Sequence, residues 1–445
     1  MEIKMKAEAA IYDLVMRLLN GIVLHASWLL GGGRKARRFA EGQRGLLASI
    51  QEAMRNEPST QRCWIHCSSL GEYAVARPVI RRLRECGWCV VLTLFSASGY
   101  DVLCQRKDAA DYVFFLPIDT RQNVRRFLDA ARPQRAVFII SEYWLGYLNE
   151  LSLRNIPTYF VSMFVPSDSY LLKWYARPIR QALSKARCLM VLDEESKSNL
   201  EQVGLSNVRV VGDPLFDNAA AIARSEYQNA VIERFCENVA DILVAGSVSD
   251  DNDVEIVCGL ANSRPELKMI VAPHETDERQ ISTIAEKCGR RTLRYSQCDD
   301  STSFDDVQIL IIDYIGDLAR IYRYGRYAYV GGGFTPYLHS VLEPAAYGLP
   351  IAFGPRIERK ATALQMIAQG FAAIVETQQD VCDWFASVRD AARYNELHCR
   401  ALDYVAANAN ATEVIIKELS RKETEETRGA PQGSLQARRI ESERS

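Results

Sequence analysis

The stretch YAYVGGGFTPYLHSVLEPAAYGLPIAFGP, residues 327–355, decides the fold of this chain. Residues 327–330 are predicted as a short buried strand, residues 339–347 as a helix and residues 351–353 as the next strand. Gly331–Gly333 form the turn between the first strand and the helix. Glycine tolerates positive φ and lets backbone N–H groups approach a ligand closely. A strand, a glycine turn and a helix N-terminus together predict an anion site. The alternative is an ordinary crossover with a tight turn, because the G-x-G-x-x-G fingerprint is absent.

Length and composition describe a large globular chain. Its 445 residues favour two or more domains, and 48% hydrophobic with 25% charged residues suits sizeable cores. The formal net charge of -2 argues against nucleic acid as the main partner. The 12 cysteines are scattered and show no paired spacing of the zinc type. We therefore expect reduced cysteines, a cytosolic redox environment and no metal site.

The N-terminal segment is apolar but interrupted by charge. Residues 9–30 contain Asp13, Arg17 and His25, which makes them a poor span for a bilayer. Basic residues follow directly: Arg34, Lys35, Arg37 and Arg38. We expect residues 1–38 to form a helix that associates with the cytoplasmic face of the inner membrane, with Trp28 at the headgroup level. The alternative is a soluble amphipathic helix packed on the body of the protein.

From residue 63 onward, predicted strands and helices alternate. The alternation divides into a domain over 39–215, a crossover over 216–240 and a second domain over 241–422, followed by a disordered tail over 423–445. It predicts an α/β fold with parallel sheets that helices cover on both faces. Ligands of such sheets bind at the carboxyl ends of the strands, where Glu72 and Glu142 are expected.

The two predicted domains carry different chemistry. The C-terminal one offers the glycine turn and Gly246-Ser247, which suit a phosphate, and Glu343 one turn into its helix, which suits ribose hydroxyls. The N-terminal one offers carboxylates and no phosphate loop. This division suits a transferase that binds an activated donor in one domain and an acceptor in the other, with a ligand cleft between them.

The order and spacing of several motifs identify a family resemblance. The motifs are the apolar N-terminal helix with its basic flank, Ser69-Leu70-Gly71-Glu72, Ser141-Glu142-Tyr143-Trp144, Gly246-Ser247, residues 330–334, Leu342-Glu343-Pro344 and Phe353-Gly354-Pro355. Over residues 11–419 the chain resembles the 3-deoxy-D-manno-octulosonic acid (Kdo) transferases of lipopolysaccharide synthesis. Residues 160–175 and 272–275 look like the Bacteroidetes branch of that family.

The resemblance implies a GT-B fold, which consists of two Rossmann-like domains with an interdomain cleft. It implies inverting, metal-independent transfer of Kdo from CMP-Kdo to a lipid A precursor, without a cofactor. Glu72 would be the general base, in a motif with Ser69 and Gly71 on the acceptor side, and Glu142 the second acceptor-side carboxylate. The donor would be bound by Gly246, Ser247, Gly331, Gly332, Gly333 and Glu343. Without the family, Glu72 is equally well a helix-start residue and Glu142 a helix cap.

The chain departs from the family pattern at donor-side positions. Ser340 stands where many members have Asn, and Pro273-His274-Glu275 stands where many have Pro-Arg-His. Arginine is a fixed cation and histidine is not, so anion binding by His274 would depend on pH. Lys268 is a candidate to compensate for the missing arginine charge. The alternative is that Lys268 is a surface lysine before a strand. Lys173 is a candidate contact for an acceptor phosphate, or solvated surface.

Two other functions fit the same pattern. One is a GT-B enzyme that uses a UDP-sugar donor, either a glycosyltransferase or an epimerase. The other is a non-catalytic binding protein, against which the retention of Glu72, Glu142 and Glu343 argues.

A sugar hydroxyl has a high pKa, so a carboxylate base would typically contribute a rate factor of about 10²–10⁴.

Overall fold

The computed structural model describes residues 2–25, 34–288, 291–358 and 360–421. It divides the chain into an N-terminal unit, Met1–Val211 with the segment from Thr412 onward, and a C-terminal unit, Gly212–Ala411. Each unit contains one seven-stranded parallel sheet, which confirms the predicted pair of Rossmann-like α/β folds. Trp28 and the predicted tail over 423–445 lie outside the described residues.

The sheet of the N-terminal unit has the strand order β3-β2-β1-β4-β5-β6-β7. Its strands are β1 (Arg62–Cys67), β2 (Cys89–Leu94), β3 (Tyr112–Phe115), β4 (Arg135–Ile139), β5 (Thr158–Met163), β6 (Cys188–Val191) and β7 (Val208–Val210). The order reverses between β1 and β4, which are hydrogen-bonded neighbours. Such a reversal opens a crevice at the carboxyl ends of the two strands.

Helices cover both faces of this sheet. They are α1 (Glu2–His25), α2 (Arg34–Gln43), α3 (Leu46–Arg55), α4 (Leu70–Glu85), α5 (Ala97–Leu103), α6 (Arg121–Ala131), α7 (Leu145–Leu153), α8 (Arg177–Leu183) and α9 (Glu194–Gln202). The side chains of Ser69 and Thr120 cap α4 and α6 by accepting backbone N–H groups. Gly45 has a φ of 70° and separates α2 from α3.

An aromatic cluster fixes the centre of this core. Trp64 on β1 is fully buried, and its ring lies 4.9 Å from Phe127, 5.2 Å from Phe138 and 5.1 Å from Tyr147. Its indole N–H donates to Thr93 Oγ1 at 2.8 Å, so the ring's polar group is also satisfied. The apolar run of β1 is therefore explained by helices on both faces of the sheet.

Helix α1 has one face that packs on its unit and another that exposes apolar side chains. Met16 and Val23 are buried in a cluster with Ala40 and Ile118, so one face of α1 packs on the body of its unit. The opposite face is apolar and exposed, at Ile11, Leu14, Val15, Leu18 and Leu19. Of the helices that the structure describes, none is both long and apolar enough to cross a membrane.

The C-terminal unit repeats the architecture with the strand order β10-β11-β9-β8-β12-β13-β14. Its strands are β8 (Ile242–Val248), β9 (Lys268–Pro273), β10 (Thr292–Arg294), β11 (Ile309–Ile311), β12 (Tyr327–Val330), β13 (Ile351–Phe353) and β14 (Ala372–Ile374). Its helices are α10 (Pro214–Arg224), α11 (Ala230–Cys236), α12 (Asp251–Ser263), α13 (Glu278–Lys287), α14 (Leu318–Ile321), α15 (Leu342–Ala346), α16 (Ala361–Ala368), α17 (Gln378–Arg389) and α18 (Ala391–Asn408). The order reverses between β8 and β12, and this is the second crevice.

The helix expected over residues 339–347 is shorter than predicted. It is α15, which begins at Leu342 and has five residues. Pro344 explains the late start, because its ring would clash with the carbonyl four residues earlier in a helix begun at His339. Proline is accommodated best in the first turn of a helix, and α15 begins two residues before Pro344. The glycine turn is therefore not followed directly by a helix N-terminus, and that part of the predicted anion site is wrong.

The end of the described chain returns to the N-terminal unit. After β14 the chain forms three helices, α17, α18 and α19 (Ala411–Ser420). Glu413 and Glu418 on α19 pair with Arg82 and Arg209, each at 2.7 Å. The C-terminal unit runs from Gly212 to Ala411 and includes α10 and α11, which cover the residues predicted as a crossover (216–240).

Two cysteines of the C-terminal unit differ from the expectation of reduced thiols. Cys258 on α12 is joined to Cys288 by a disulfide, and both residues are buried. The other ten cysteines, all within the described residues, are free.

Candidate active site

In the N-terminal unit, the two predicted carboxylates lie at the reversal of the strand order. Glu72 follows β1 and Glu142 follows β4, so both belong to the carboxyl edge where these neighbouring strands end. They are close enough that the charge of Glu142 helps to raise the pKa of Glu72. The sequence prediction of a carboxylate pair at this edge is therefore confirmed in its geometry.

Glu72 occupies the first turn of α4. Its backbone N–H donates to the capping Ser69 Oγ at 3.4 Å, and its own carboxylate accepts the N–H of Ser68. Burial is the largest influence and raises the pKa of Glu72 to about 7. Glu72 is thus a helix-start residue and also a carboxylate poised to exchange a proton near neutral pH.

Glu142 is directed by an unusual backbone turn and held by an indole. Ile140, two residues before it, has a φ of 61°, which is rare for a β-branched residue and typical of functional sites. Trp144 Nε1 donates to Glu142 Oε2 at 2.7 Å, and His66 Nε2 lies 3.4 Å from the same oxygen. Burial acts to raise the pKa of Glu142, but hydrogen bonds from His66, Trp144 and Ser68 outweigh it and lower the pKa. Since Trp144 is the N-cap of α7, the reading of Glu142 as a helix cap is wrong.

His66 is a functional neighbour that the sequence analysis missed. It is fully buried at the end of β1, and its Nδ1 lies 3.1 Å from the carbonyl oxygen of Thr93. The same Nδ1 lies 2.9 Å from the hydroxyl oxygen of Thr93, so residue 93 holds the ring through both its backbone and its side chain. The signal in the sequence was a polar residue inside the apolar strand that leads to the Ser-Leu-Gly-Glu motif.

The acceptor-side predictions are placed as follows. Ser69 and Gly71 flank the same helix start as Glu72, although the hydroxyl of Ser69 is used as the cap of α4. Lys173 is exposed, and its neighbours Trp174 and Tyr175 are also exposed. Tyr170, on the same segment, lies 6.4 Å from the ring of Tyr143. This exposed segment is therefore linked by ring contact to the residue after Glu142.

In the C-terminal unit, Gly246 and Ser247 lie at the end of β8. They continue the strand rather than form a turn, and Ser247 has a φ of 55° where the pairing with β9 shifts by one residue. A bulge with a strained residue is common beside active sites. A side chain at Gly331 would overlap the backbone of Ser247, so this glycine is required for close approach of the two strand ends.

The glycine turn is held by a buried carboxylate that the sequence did not reveal. Asp253 on α12 is fully buried, and its Oδ2 accepts the N–H of Gly332 at 2.8 Å. Gly331 N donates to the carbonyl of Gly246 at 2.9 Å. Two of the three amides predicted to bind phosphate are therefore used inside the protein. A side chain at Gly333 would overlap Gly354, so this position also serves close packing.

Two histidines stack beside this turn. The rings of His274, directly after β9, and His339 are 4.4 Å apart with an interplanar angle of 31°. Burial is the largest influence and lowers the pKa of His339, as do the positive charges of His274 and Lys360, whereas Asp253 acts to raise it. These three basic side chains are the candidate anion site at this edge, and His339 and Lys360 were not predicted.

The remaining residues predicted on the donor side are Ser340, Glu343 and Lys268, of which the first two lie near the glycine turn or on α15. Ser340 follows His339 and is exposed, and Glu343 lies in the first turn of α15, near Tyr322 and Tyr347. Lys268 is the exception, because it begins β9 and thus lies at the opposite edge of the sheet from His274. Its Nζ donates to the carbonyl oxygens of Phe235 and Phe304. The suggestion that Lys268 compensates at the donor site is wrong.

The two edges offer complementary chemistry. The N-terminal unit presents a carboxylate of raised pKa beside one of lowered pKa, which separates a proton-accepting role from a permanently charged one. The C-terminal unit presents imidazoles, a lysine and a carboxylate suited to a phosphorylated nucleoside. Among the described residues, no three His, Cys, Asp or Glu side chains are grouped so that they could hold a metal ion.

The chain is similar to known glycosyltransferases over different parts of its length. Residues 37–218 match the family model described as 3-deoxy-D-manno-octulosonic-acid transferase (kdotransferase). The chain is 25% identical over 422 residues to a 3-deoxy-D-manno-octulosonic acid transferase of Bordetella pertussis, covering 90% of this chain and 96% of that protein. It is 23% identical over 306 residues to a bifunctional glycosyltransferase/methyltransferase of Fusobacterium nucleatum, covering 65% of this chain and 47% of that protein.

A solved structure shows the same fold. The UDP-GlcNAc 2-epimerase from Neisseria meningitidis bound to UDP-GlcNAc superposes with a TM-score of 0.57 at 13% identity, covering 81% of this chain and 99% of that one. Fold and family together define the class of this protein: it is a glycosyltransferase of the GT-B type. More particularly, residues 37–218 are a domain of the Kdo transferase family, which confirms the resemblance carried by the sequence motifs. The likeness to one branch of that family stays a prediction.

Proposed function

We propose that the protein transfers Kdo from CMP-Kdo to a sugar hydroxyl of a lipid A precursor, with inversion and without a metal, at the cytoplasmic face of the inner membrane. The observation that carries the proposal is the carboxylate pair at the carboxyl ends of β1 and β4. A base works best when its pKa is near the working pH, and burial raises the pKa of Glu72 to about 7.

The proposed reaction is a single displacement. Glu72 accepts the proton of the acceptor hydroxyl while that oxygen bonds to the anomeric carbon of Kdo. The bond from this carbon to the CMP phosphate breaks, and CMP leaves with the electron pair. Since the nucleophile enters opposite the leaving group, one step inverts the configuration. Glu142, ionised through its hydrogen bonds from Trp144 and His66, would stabilise positive charge that develops on the sugar.

The C-terminal unit is the proposed donor side. CMP-Kdo carries a phosphodiester and a sugar carboxylate, so it brings two negative charges. His274, His339 and Lys360 would balance them, and Glu343 would accept hydrogen bonds from ribose hydroxyls. The proposal of metal independence depends on these cationic side chains taking the charge of the leaving phosphate.

Two exposed apolar features support a membrane-bound acceptor. Leu14 and Leu18 of α1 are 58% and 62% exposed, and Trp174 is 86% exposed beside Lys173. Aromatic and basic side chains of this kind favour the interface between headgroups and acyl chains. Of the basic residues expected to assist, Arg38 instead pairs with Asp101 at 2.7 Å. The side chains of Arg34 and Lys35 are outside what the structure describes.

The test is a reconstituted transfer reaction. Purified protein is incubated with CMP-Kdo, a tetraacylated lipid A precursor and EDTA, and the lipid products are weighed by mass spectrometry. We expect a mass increase of one or more Kdo residues in wild type and a large loss in Glu72→Gln. Turnover of UDP-GlcNAc in place of CMP-Kdo, or no product with any donor, would overturn the proposal. Loss of product with EDTA alone would overturn only its metal-free part.

A further inference from the structure

Trp144 connects the N-terminal helix to the carboxylate pair. Its Nε1 donates to Glu142 Oε2 at 2.7 Å and lies 3.2 Å from His66 Nε2. Its ring packs on the cluster that contains Met16 and Val23 of α1. One side chain therefore joins the cluster that contains the packed face of α1 to the acceptor-side carboxylate.

A second contact fixes the same region from α1. Tyr12 donates its hydroxyl to Asp119 Oδ2 at 2.7 Å, and the same oxygen accepts the N–H of Gly146 at 2.9 Å. Gly146 lies in the first turn of α7, which Trp144 precedes as the N-cap. A side chain at Gly146 would overlap Asp119, so the close approach depends on this glycine. The position of α7, and with it the position of Trp144, is thus tied to α1.

We propose that Trp144 is a positioning residue through which packed helix α1 holds Glu142 in its working orientation. An indole N–H can donate a hydrogen bond but cannot accept one. Trp144 therefore pairs with an acceptor oxygen of Glu142 and gives no acceptor to a protonated Glu142 hydroxyl. The inference rests on the proposed function only in its last step, the use of Glu142 in transfer. The link from α1 to Glu142 is a property of the free protein.

Several other groups surround Glu142, and the test must distinguish the effect of Trp144 from theirs. From β1 and its turn these are His66, Cys67 and Ser68; from α4, Glu72; from the segments after β4 and β5, Tyr143 and Tyr170. Among these described groups, Trp144 is the one that also packs on the cluster containing Met16 and Val23 of α1. Trp144→Phe removes the N–H and keeps an aromatic ring, so this variant tests the link between α1 and Glu142.

The experiment uses the full chain with indole-15N-labelled tryptophan. The Nε1–H resonance of Trp144 is assigned by its loss in Trp144→Phe. We expect it to move in Glu142→Gln and also in Tyr12→Phe, which removes only the hydroxyl that reaches Asp119. Trp88→Phe serves as the control, because Trp88 precedes β2 at the opposite edge of the sheet and stacks on Arg135. An unmoved Trp144 resonance in either variant would overturn the link.

Kinetics then test the positioning role. In Trp144→Phe we expect kcat to fall about tenfold to a hundredfold, as for a lost hydrogen bond to a charged group, with unchanged CMP affinity. Tyr12→Phe should give a smaller loss of kcat in the same direction. A normal kcat in Trp144→Phe would overturn the positioning role. If wild type transfers no Kdo at all, the proposed function fails, while the resonance shifts still decide the link.

Discussion

Gly332 donates its backbone N–H to Oδ2 of Asp253 at 2.8 Å. The same carboxylate accepts the hydroxyl of Tyr329 at 2.6 Å and both the N–H and the hydroxyl of Ser249, at 3.0 and 2.9 Å. Asp253 therefore joins the end of β12, the glycine turn and the loop after β8. It holds the shape of the proposed donor edge without needing to touch a ligand.

Asp253→Asn should weaken both folding and nucleotide binding. The asparagine amide keeps one acceptor oxygen but turns an NH₂ group toward the hydrogen-bond donors. Buried hydrogen bonds to the charged carboxylate of Asp253 are therefore lost. We expect the free energy of unfolding to fall by about 1–3 kcal/mol and the Kd for CMP to rise at least about tenfold. Urea denaturation and calorimetric titration measure the two. Asp251→Asn on the same helix, with a side chain 85% exposed, is the matched control and should change neither.

Glu72→Gln should remove turnover without removing the fold. Glutamine keeps the acceptor oxygen that Ser68 uses but cannot take a proton from the acceptor. We expect kcat to fall by about 10²–10⁴ with unchanged melting temperature and CMP affinity. In wild type with saturating donor, kcat should rise with pH to a plateau, with a midpoint near 7, since only the ionised form of Glu72 is active. A wild-type profile that is flat from pH 5.5 to 8.5 would contradict this assignment. Glu85→Gln, at the exposed end of α4, is the control.

Glu142→Gln should shift that midpoint. Burial is the main reason that the pKa of Glu72 is raised, and the negative charge of Glu142 adds to it. Removing the charge should therefore lower the pKa of Glu72 and move the rising limb of the residual activity to lower pH. Where the remaining rate is too small, carboxyl-13C labelling of glutamate reports the same titration. An unchanged or higher pKa would show that the two carboxylates are not coupled.

Nucleotide binding should take up protons. Burial, His274 and Lys360 lower the pKa of His339 in the free protein, with Asp253 opposing them. A bound phosphate would favour the charged imidazole, so CMP affinity should increase as pH falls from about 8 to about 6. Titration calorimetry in buffers of different ionisation enthalpy counts the protons. His339→Gln should abolish the uptake, and a pH-independent Kd in wild type would refute the anion role of the stacked pair.

Charge on the exposed face of α1 should release the protein from lipid. Leu14→Asp with Leu18→Asp leaves the packed residues Met16 and Val23 in place but makes insertion of the opposite face costly. We expect the variant to stay in the supernatant when vesicles of anionic phospholipid are sedimented, while wild type pellets with them. Leu153→Asp, at a side chain 73% exposed on α7, is the control and should pellet like wild type. Equal pelleting of all three would locate the anchor elsewhere.

The strands were predictable because both faces of each sheet are covered. Residues 327–330 and 351–353 are apolar runs bounded by glycine or proline, and the structure gives them the expected limits. The parallel order then placed Glu72 and Glu142 at one edge, since residues that directly follow neighbouring strands must meet there. This much of the site follows from local pattern and strand direction.

Contacts between distant positions were not predictable in the same way. Asp253 is 79 residues from Gly332, and nothing in its own neighbourhood distinguishes it from the acidic residues beside it. His339 falls within the helix predicted over 339–347, but Pro344 restricts that helix to a start at Leu342 and leaves His339 outside it. Lys268 was misplaced for a simpler reason: it precedes its strand, and a residue at the amino end cannot reach the opposite edge.

Helix α19 has a consequence for biosynthesis. Its pairs with Arg82 and Arg209 belong to a unit whose sheet is otherwise complete by residue 210. A ribosome must therefore add about two hundred more residues before that unit receives its last helix, even though domains usually fold in the order of their synthesis. A gene cut at codon 211 would deliver this half with the partners of both arginines missing, whereas a fragment of 212–411 would contain the whole of the C-terminal unit.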